Sequence, residues 1–181
     1  IISITSKNKK LNFYKTYYMI ALHEPLLSGK ERKYLNNCLD QGWVSSAGKY
    51  VEAFEKKIEK YTGAKYAVAC VNGTSALQIS IKLAGVKSNE EVIVPSITFI
   101  APINAINYNN AKPIFMDCDK FYTIDVNKTL EFLKRETLTI NNKTINKRTK
   151  NRISAIVVVH TFGNAVNLDK LSKVCKKKIF H

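Results

Sequence analysis

Four short runs in this chain, "YAVACV" (66–71), "EEVIVP" (90–95), "KPIFMD" (112–117) and "ISAIVVVH" (153–160), are apolar along most of their length. A strand with one wet face alternates apolar and polar residues, whereas a strand covered on both faces does not. Segments of helical character follow the runs, at about 74–84, 99–110, 126–135 and 167–178. Two-sided strands alternating with helices predict an α/β fold, a mostly parallel sheet with helices on both faces in three layers. Asp125 stands where it can cap the helix "VNKTLEFLKR" (126–135). The basic stretch after that helix holds "TLTINNKTI" (137–145), which reads as a hairpin turning at Asn141-Asn142.

The first 63 residues carry a different pattern. "LLSGKERKYLNNCLDQG" (26–42) predicts a helix with Ser28 and Glu31 as a capping box, Leu35, Cys38 and Leu39 on one face, and Gly42 as its stop. "GKYVEAFEKKIEKYTG" (48–63) predicts a second helix, with Val51, Phe54, Ile58 and Tyr61 as its apolar stripe and Gly63 at its end. Residues 1–18 show no helical or alternating period and precede Met19, so they read as a loose leader. The expected organisation is this leader, a helical segment over 19–63 and the α/β part over 64–181.

Charge bears on which partners fit. Lys and Arg number 29 against 14 acids, a net charge of +15, with dense clusters in "NNKTINKRTKNR" (141–152) and "KVCKKKIFH" (173–181). A nucleic-acid-binding domain is one reading. Solvated basic loops are the other, since no aromatic residues interleave with the cations as base stacking requires. No apolar stretch approaches the ~20 residues of a membrane helix. Cys38, Cys70, Cys118 and Cys175 have no metal-binding spacing; with Cys70 and Cys118 in strand-like runs, they read as buried free thiols in a reducing compartment, and no metal is expected.

"AVACVNGTSALQISIKLAG" (67–85) raises the functional question. Here an apolar strand meets an apolar helix through Asn72-Gly73-Thr74-Ser75, with no ordinary polar loop. The first amides of a helix have no intrahelical acceptor and carry partial positive charge. Gly73 lets a ligand approach the backbone, and Thr74 and Ser75 add hydroxyls, so the turn is an anion cradle suited to phosphate. On the plainer reading, Thr74 or Ser75 simply caps the helix. The glycines of a P-loop or a GxGxxG fingerprint are missing.

Together with "GWVSSAGKYVEAFEKKIEKYTGAKYAVACVNGTSALQI", "EVIVPSITFIAPINAI", "KPIFMDCD" and "AIVVVHTFGNAVNLDKL", the turn resembles the pyridoxal-phosphate-dependent nucleotide-sugar aminotransferases of the DegT/StrS type. The resemblance covers most of residues 22–177 and matches the family's N-terminal portion. It implies the large domain of PLP fold-type I, here reaching about four strands. "ALHEP", "GWVSS" and the basic hairpin resemble the branch that aminates UDP-linked 4-keto-6-deoxy acetamidosugars of the legionaminic type.

The resemblance implies that Gly73, Thr74 and Ser75 hold the cofactor phosphate and that Phe99 lies against its ring. His160 and Gly163, in the turn after the fourth strand, face the cofactor. Trp43, Ser45 and Ser46 face the substrate. Read by itself, Phe99 is a core residue, Trp43 could equally be a packing residue, and His160 a satisfied core or rim residue. The resemblance further implies glutamate as amino donor, a homodimer and a cytoplasmic location. The Lys and Asp its chemistry requires belong to segments after "KKKIF" (176–180), so no catalytic residue is assigned here, and this chain by itself is expected to be inactive. The implied strand order 3-2-4-5-6-7-1 places strands 4, 2 and 3 side by side. It leaves "YAVACV" unpaired without strand 7, with poor solubility expected. Against this enzyme reading stands a non-enzymatic one, an inert remnant or a basic nucleic-acid-binding domain.

Overall fold

A computed structural model describes residues 25–43, 45–46 and 48–178. The expected leader lies outside these residues. The chain divides into two compact units, Ile1–Val51 and Glu52–His181.

In the first unit, helix α1 spans Glu31–Asp40. The capping box does not form. Lys30 occupies the N-cap without a side-chain bond, and the Glu31 carboxylate instead accepts from the Gly29 amide at 2.8 Å. Gly42, with φ +68°, ends the helix as expected. The predicted apolar face is not covered: Leu35 and Leu39 are exposed, while Cys38 is half-buried. Among the described residues of this unit, the rings of Tyr34 and Tyr50 lie 5.0 Å apart, and the Tyr50 hydroxyl donates to Asn37 Oδ1 at 2.8 Å.

Helix α2 (Lys49–Thr62) runs from the first unit into the second. Phe54, Ile58 and Tyr61 of its predicted stripe are exposed. After Val51, its half-buried residues are Glu55 and Glu59.

The second unit holds the sheet. Strands β1 (Glu91–Pro95), β2 (Lys112–Met116) and β5 (Ile153–Ile156) are all parallel, in the order β2-β1-β5. This is the arrangement expected of the third, second and fourth apolar runs. β1 is central and buried at every position, whereas β2 is an edge strand, which tolerates Pro113 without an N–H to donate. The run 153–160 was expected to be strand throughout. The ladder stops at Ile156, with one further bond from Val157 N to Ile93 O at 2.8 Å.

Helices α3 (Gly73–Leu83) and α4 (Ile100–Tyr108) cover one face of the sheet, burying Ile81, Ala105 and Ile106 against Val92, Val94 and Ala155. Helices α5 (Val126–Arg135) and α6 (Leu168–Lys178) cover the other, with Leu133, Leu171 and Cys175 against Ile93 and Ile153. The three-layer α/β/α reading holds. Asp125 caps α5 as expected, its Oδ1 accepting from Lys128 N at 3.0 Å. β3 (Thr137–Ile140) and β4 (Lys143–Asn146) form the predicted hairpin. Asn141 (φ 48°) and Asn142 (φ 59°) both adopt the left-handed conformation that a two-residue type I′ turn requires. The buried carboxylate of Glu91, at the start of β1, accepts from Asn146 Nδ2 at 2.8 Å and so ties the hairpin to the sheet.

One expectation holds and another fails. Residues 66–71, the apolar run expected to stand unpaired in this chain, join no strand. A strand exists only through a partner, and here none of β1, β2 and β5 lies beside the run; Tyr66, Val68 and Val71 are exposed. Cys38, Cys70 and Cys118 are only partly buried, and Cys175 alone of the four is in the core; all four are free thiols. Among the described residues no helix is long and apolar enough to cross a membrane.

Candidate functional site at the carboxyl end of the sheet

β1 leads directly into the N-terminus of α4, which therefore sits at the carboxyl end of the sheet. α3 returns along the sheet to the start of β1. Its 11 residues span roughly 16 Å, the length of the five-residue strand it covers, so its N-terminus reaches the same end. In parallel α/β sheets, ligands bind at this end.

At the start of α3, Asn72 takes an extended conformation (φ −161°, ψ 172°) and its Oδ1 accepts from Ser75 N at 2.9 Å. Asn72 is therefore the N-cap, and neither Thr74 nor Ser75 is. Their half-buried hydroxyls make no hydrogen bond with described residues, and the amides of Gly73 and Thr74 precede the first carbonyl-bonded turn. A Cβ built on Gly73 would meet nothing within 4 Å, so the backbone here is open to an approaching group. Two amides, two hydroxyls and the positive end of a helix dipole suit a phosphate.

Phe99 sits at the N-cap position of α4 and is 83% exposed, so it is not a core residue. Beside it, Thr98 Oγ1 is buried without a hydrogen-bond partner. The same pair recurs after β5, where Thr161 Oγ1 is also buried and unpartnered and Phe162 is 86% exposed. Phe162 has φ 52°, the left-handed region, and its ring meets Tyr122 edge-on at 6.3 Å. His160 Nδ1 accepts from Val166 N at 3.2 Å, which leaves Nε2 as the protonated donor nitrogen. Gly163 follows with φ +84°.

The structure thus brings Gly73, Thr74, Ser75, Phe99 and His160 to one end of the sheet. Trp43, Ser45 and Ser46 belong to the first unit. There Trp43 and Ser45, with Cys38 and Tyr50, line a cavity of about 50 Å³, far below the ~300 Å³ of a small-molecule pocket. Ser46 is exposed. The sequence reading missed Asn72, Thr98 and Thr161. The available signals were the strong N-cap preference of Asn and the repeated Thr-Phe pair after two apolar runs.

Nearby charges are locally paired. Lys128 binds the Asp117 carboxylate, and this hydrogen bond holds Asp117 below its ordinary range and Lys128 above its own. At Asp119, burial works upward. The amides of Phe121 and Thr123 and the Thr123 hydroxyl outweigh it and hold the carboxyl low.

Comparison with known proteins gives the lineage. The pattern of the DegT/DnrJ/EryC1/StrS aminotransferase family matches residues 25–180. The chain belongs to this family. It is similar to GDP-perosamine synthase of Escherichia coli O157:H7, 35% identical over 159 residues, which cover 88% of this chain and 40% of that protein. Among solved structures, a DegT DnrJ EryC1 StrS aminotransferase from Brucella abortus superposes with a TM-score of 0.69 at 28% identity, over 81% of this chain and 37% of that one. A structure from Streptococcus pneumoniae in a PMP form shares the fold, with a TM-score of 0.69 at 23% identity over 87% of this chain and 36% of that one. The chain spans about two fifths of the length of the curated relatives it matches. Pyridoxal phosphate is the cofactor of this family. The open Gly73 backbone, the unpaired first-turn donors of α3 and the buried unpartnered hydroxyls of Thr98 and Thr161 fit a phosphorylated, polar-edged ring.

Proposed function

We propose that this chain forms the phosphate- and ring-binding part of a pyridoxal-phosphate transaminase acting on a 4-keto-6-deoxy nucleotide sugar. Glutamate is the amino donor, the working form is a homodimer, and the location is cytoplasmic. The observation that carries the reading is the first turn of α3, where Asn72 caps the Ser75 amide and leaves the amides of Gly73 and Thr74 and the hydroxyls of Thr74 and Ser75 free.

In this reading the Gly73 and Thr74 amides and the Thr74 and Ser75 hydroxyls grip the phosphate. Phe99 presses on one face of the ring and keeps water from it. His160 offers Nε2–H as a donor at the rim, and Trp43, Ser45 and Ser46 meet the sugar. Pyridoxal phosphate, when bound, supplies the electron-withdrawing ring through which an amino group passes between two carbonyl carbons. The covalent Lys and the ring-nitrogen Asp of the family are assigned to no residue of these 181. Lys128, whose ammonium is stabilised by Asp117, is the opposite of an activated amine. The chain by itself therefore binds the cofactor through its phosphate without turning over substrate. The nucleotide follows the UDP-sugar resemblance, while the similar GDP-perosamine synthase is named for a GDP-sugar.

The test compares pyridoxal phosphate with pyridoxal in equilibrium binding to this chain, followed by borohydride reduction and intact-mass measurement. The expected result is tighter binding of the phosphorylated form and no covalent adduct. Equal binding of the two compounds refutes the phosphate site. A stoichiometric adduct refutes the absence of a reactive Lys. Supplying UDP- and GDP-linked 4-keto-6-deoxy sugars with glutamate to the longer enzyme decides the nucleotide.

A further inference from the structure

Residues 66–71 lead into the turn before α3 outside any helix or strand, and no strand flanks them. Among the described residues, the hydrogen bonds donated by their amides go to two side chains of α2. Ala69 N donates to Glu55 Oε1 at 2.8 Å, and Ala67 N to Glu59 Oε1 at 3.1 Å. Residues two apart in an extended segment present their amides on the same edge, about 6.6 Å apart. Residues four apart on a helix lie on one face with a rise of about 6.0 Å. The two spacings match, so a pair of helical glutamates can take the place of a neighbouring strand. Glu55, Glu59, Ala67 and Ala69 are all half-buried, which fits contact along this edge. Three residues after Ala69 comes Asn72, the cap of α3.

We propose that Glu55 and Glu59 are positioning residues for the phosphate turn: their carboxylates hold one edge of residues 66–71 and thereby fix where residues 72–75 present their donors. The proposal rests on the cofactor reading above, since it assigns the ladder a purpose at that site. Neither carboxylate touches the ligand. What matters is an acceptor oxygen at the right height on α2, and the charge is incidental. Gln keeps the acceptor; Ala removes it.

The test uses the 181-residue chain with Glu55→Gln, Glu59→Gln, Glu55→Ala, Glu59→Ala and the two double variants. Amide hydrogen exchange is followed at Ala67, Ala69, Gly73 and Thr74, with Ile93 in the central strand as an internal measure of global folding. Binding of pyridoxal phosphate is measured against pyridoxal in parallel. In each single Ala variant, exchange at the matching amide should rise about tenfold or more with Ile93 unchanged, and exchange at Gly73 and Thr74 should rise with it. The Gln variants should stay near the parent. The preference for the phosphorylated compound should fall about tenfold in the double Ala variant and persist in the double Gln variant. If Ala67 and Ala69 exchange as before in the Ala variants, or if Gln disturbs them as much as Ala does, the ladder is refuted. The exchange experiment decides this even if the parent shows no phosphate preference, a result that would instead overturn the cofactor reading. Should the double Ala variant fail to fold, the single variants carry the same comparison.

Discussion

Asn72 separates the folding of the α3 turn from its chemistry, because one atom serves the first and its charge governs the second. Its Oδ1 lies 2.9 Å from Ser75 N. Asn72→Ala removes the cap and should cost about 1 kcal/mol of stability, within the 0.5–2 kcal/mol measured for such caps. For a domain of this size that lowers Tm by about 2–4 °C. The amides of Gly73 and Thr74 remain, so affinity for pyridoxal phosphate should change only a few-fold.

Asn72→Asp reverses the pattern. Aspartate caps as well as asparagine and suits the positive helix end, so stability should hold or rise by a few tenths of a kcal/mol. A carboxylate about 5 Å from a dianionic phosphate is repelled by about 1.7 kcal/mol even at the permittivity of bulk water, and by about four times that at a surface value near 20. The lower figure corresponds to about a seventeenfold loss of affinity, smaller at high salt. Pyridoxal, lacking the phosphate, should be indifferent to the change. Thermal unfolding followed by circular dichroism gives the first quantity, and equilibrium binding of the two compounds at low and high salt gives the second. If Asn72→Asp binds pyridoxal phosphate as tightly as the parent, the phosphate does not lie at the start of α3, and the reasoning fails.

Phe99→Ala should leave stability within about 0.5 kcal/mol, because the ring is 83% exposed, while pyridoxal phosphate affinity drops several-fold; a large fall in Tm would show that Phe99 packs. Acid should erode stability through Asp119, whose carboxyl sits below the ordinary value of 3.8 in the folded chain. That contribution is fully present above the ordinary value and is lost as pH falls through the lower folded one, so urea unfolding of Asp119→Asn should show a shallower acid slope than the parent below about pH 4. Despite the net charge of +15, duplex DNA should bind weakly, with affinity falling steeply as salt is added. Tight, sequence-selective binding in a gel-shift titration at physiological salt would restore the non-enzymatic reading.

Features settled within a few residues could be read from the sequence. Asp125 caps α5 because a short acceptor three residues before a free amide needs nothing from elsewhere in the chain. Asn141-Asn142 turns the hairpin because both residues tolerate positive φ. The parallel pairing of β1 with β2 and β5 follows from two-sided apolar runs with helices between them, while the order that puts β1 in the centre is implied by the resemblance to the family. The likeness to sugar aminotransferases rests on motif order along the chain, which also needs no coordinates.

Tertiary structure decided what depends on distant partners. Residues 66–71 have the composition of a strand, but a strand is a pairing, and here the amides of Ala67 and Ala69 pair with the side chains of α2. The apolar stripes of α1 and α2 have helical spacing, yet Leu35, Leu39 and Phe54 stay exposed, since spacing defines a face and only a neighbour buries it. Asn72, Thr74 and Ser75 all had the chemistry to cap α3, and the backbone conformation at Asn72 chose among them. The repeated Thr-Phe pair marks Thr98 and Thr161 in the sequence, but that their hydroxyls are buried without a partner, in the segments after two neighbouring strands, is set by tertiary packing.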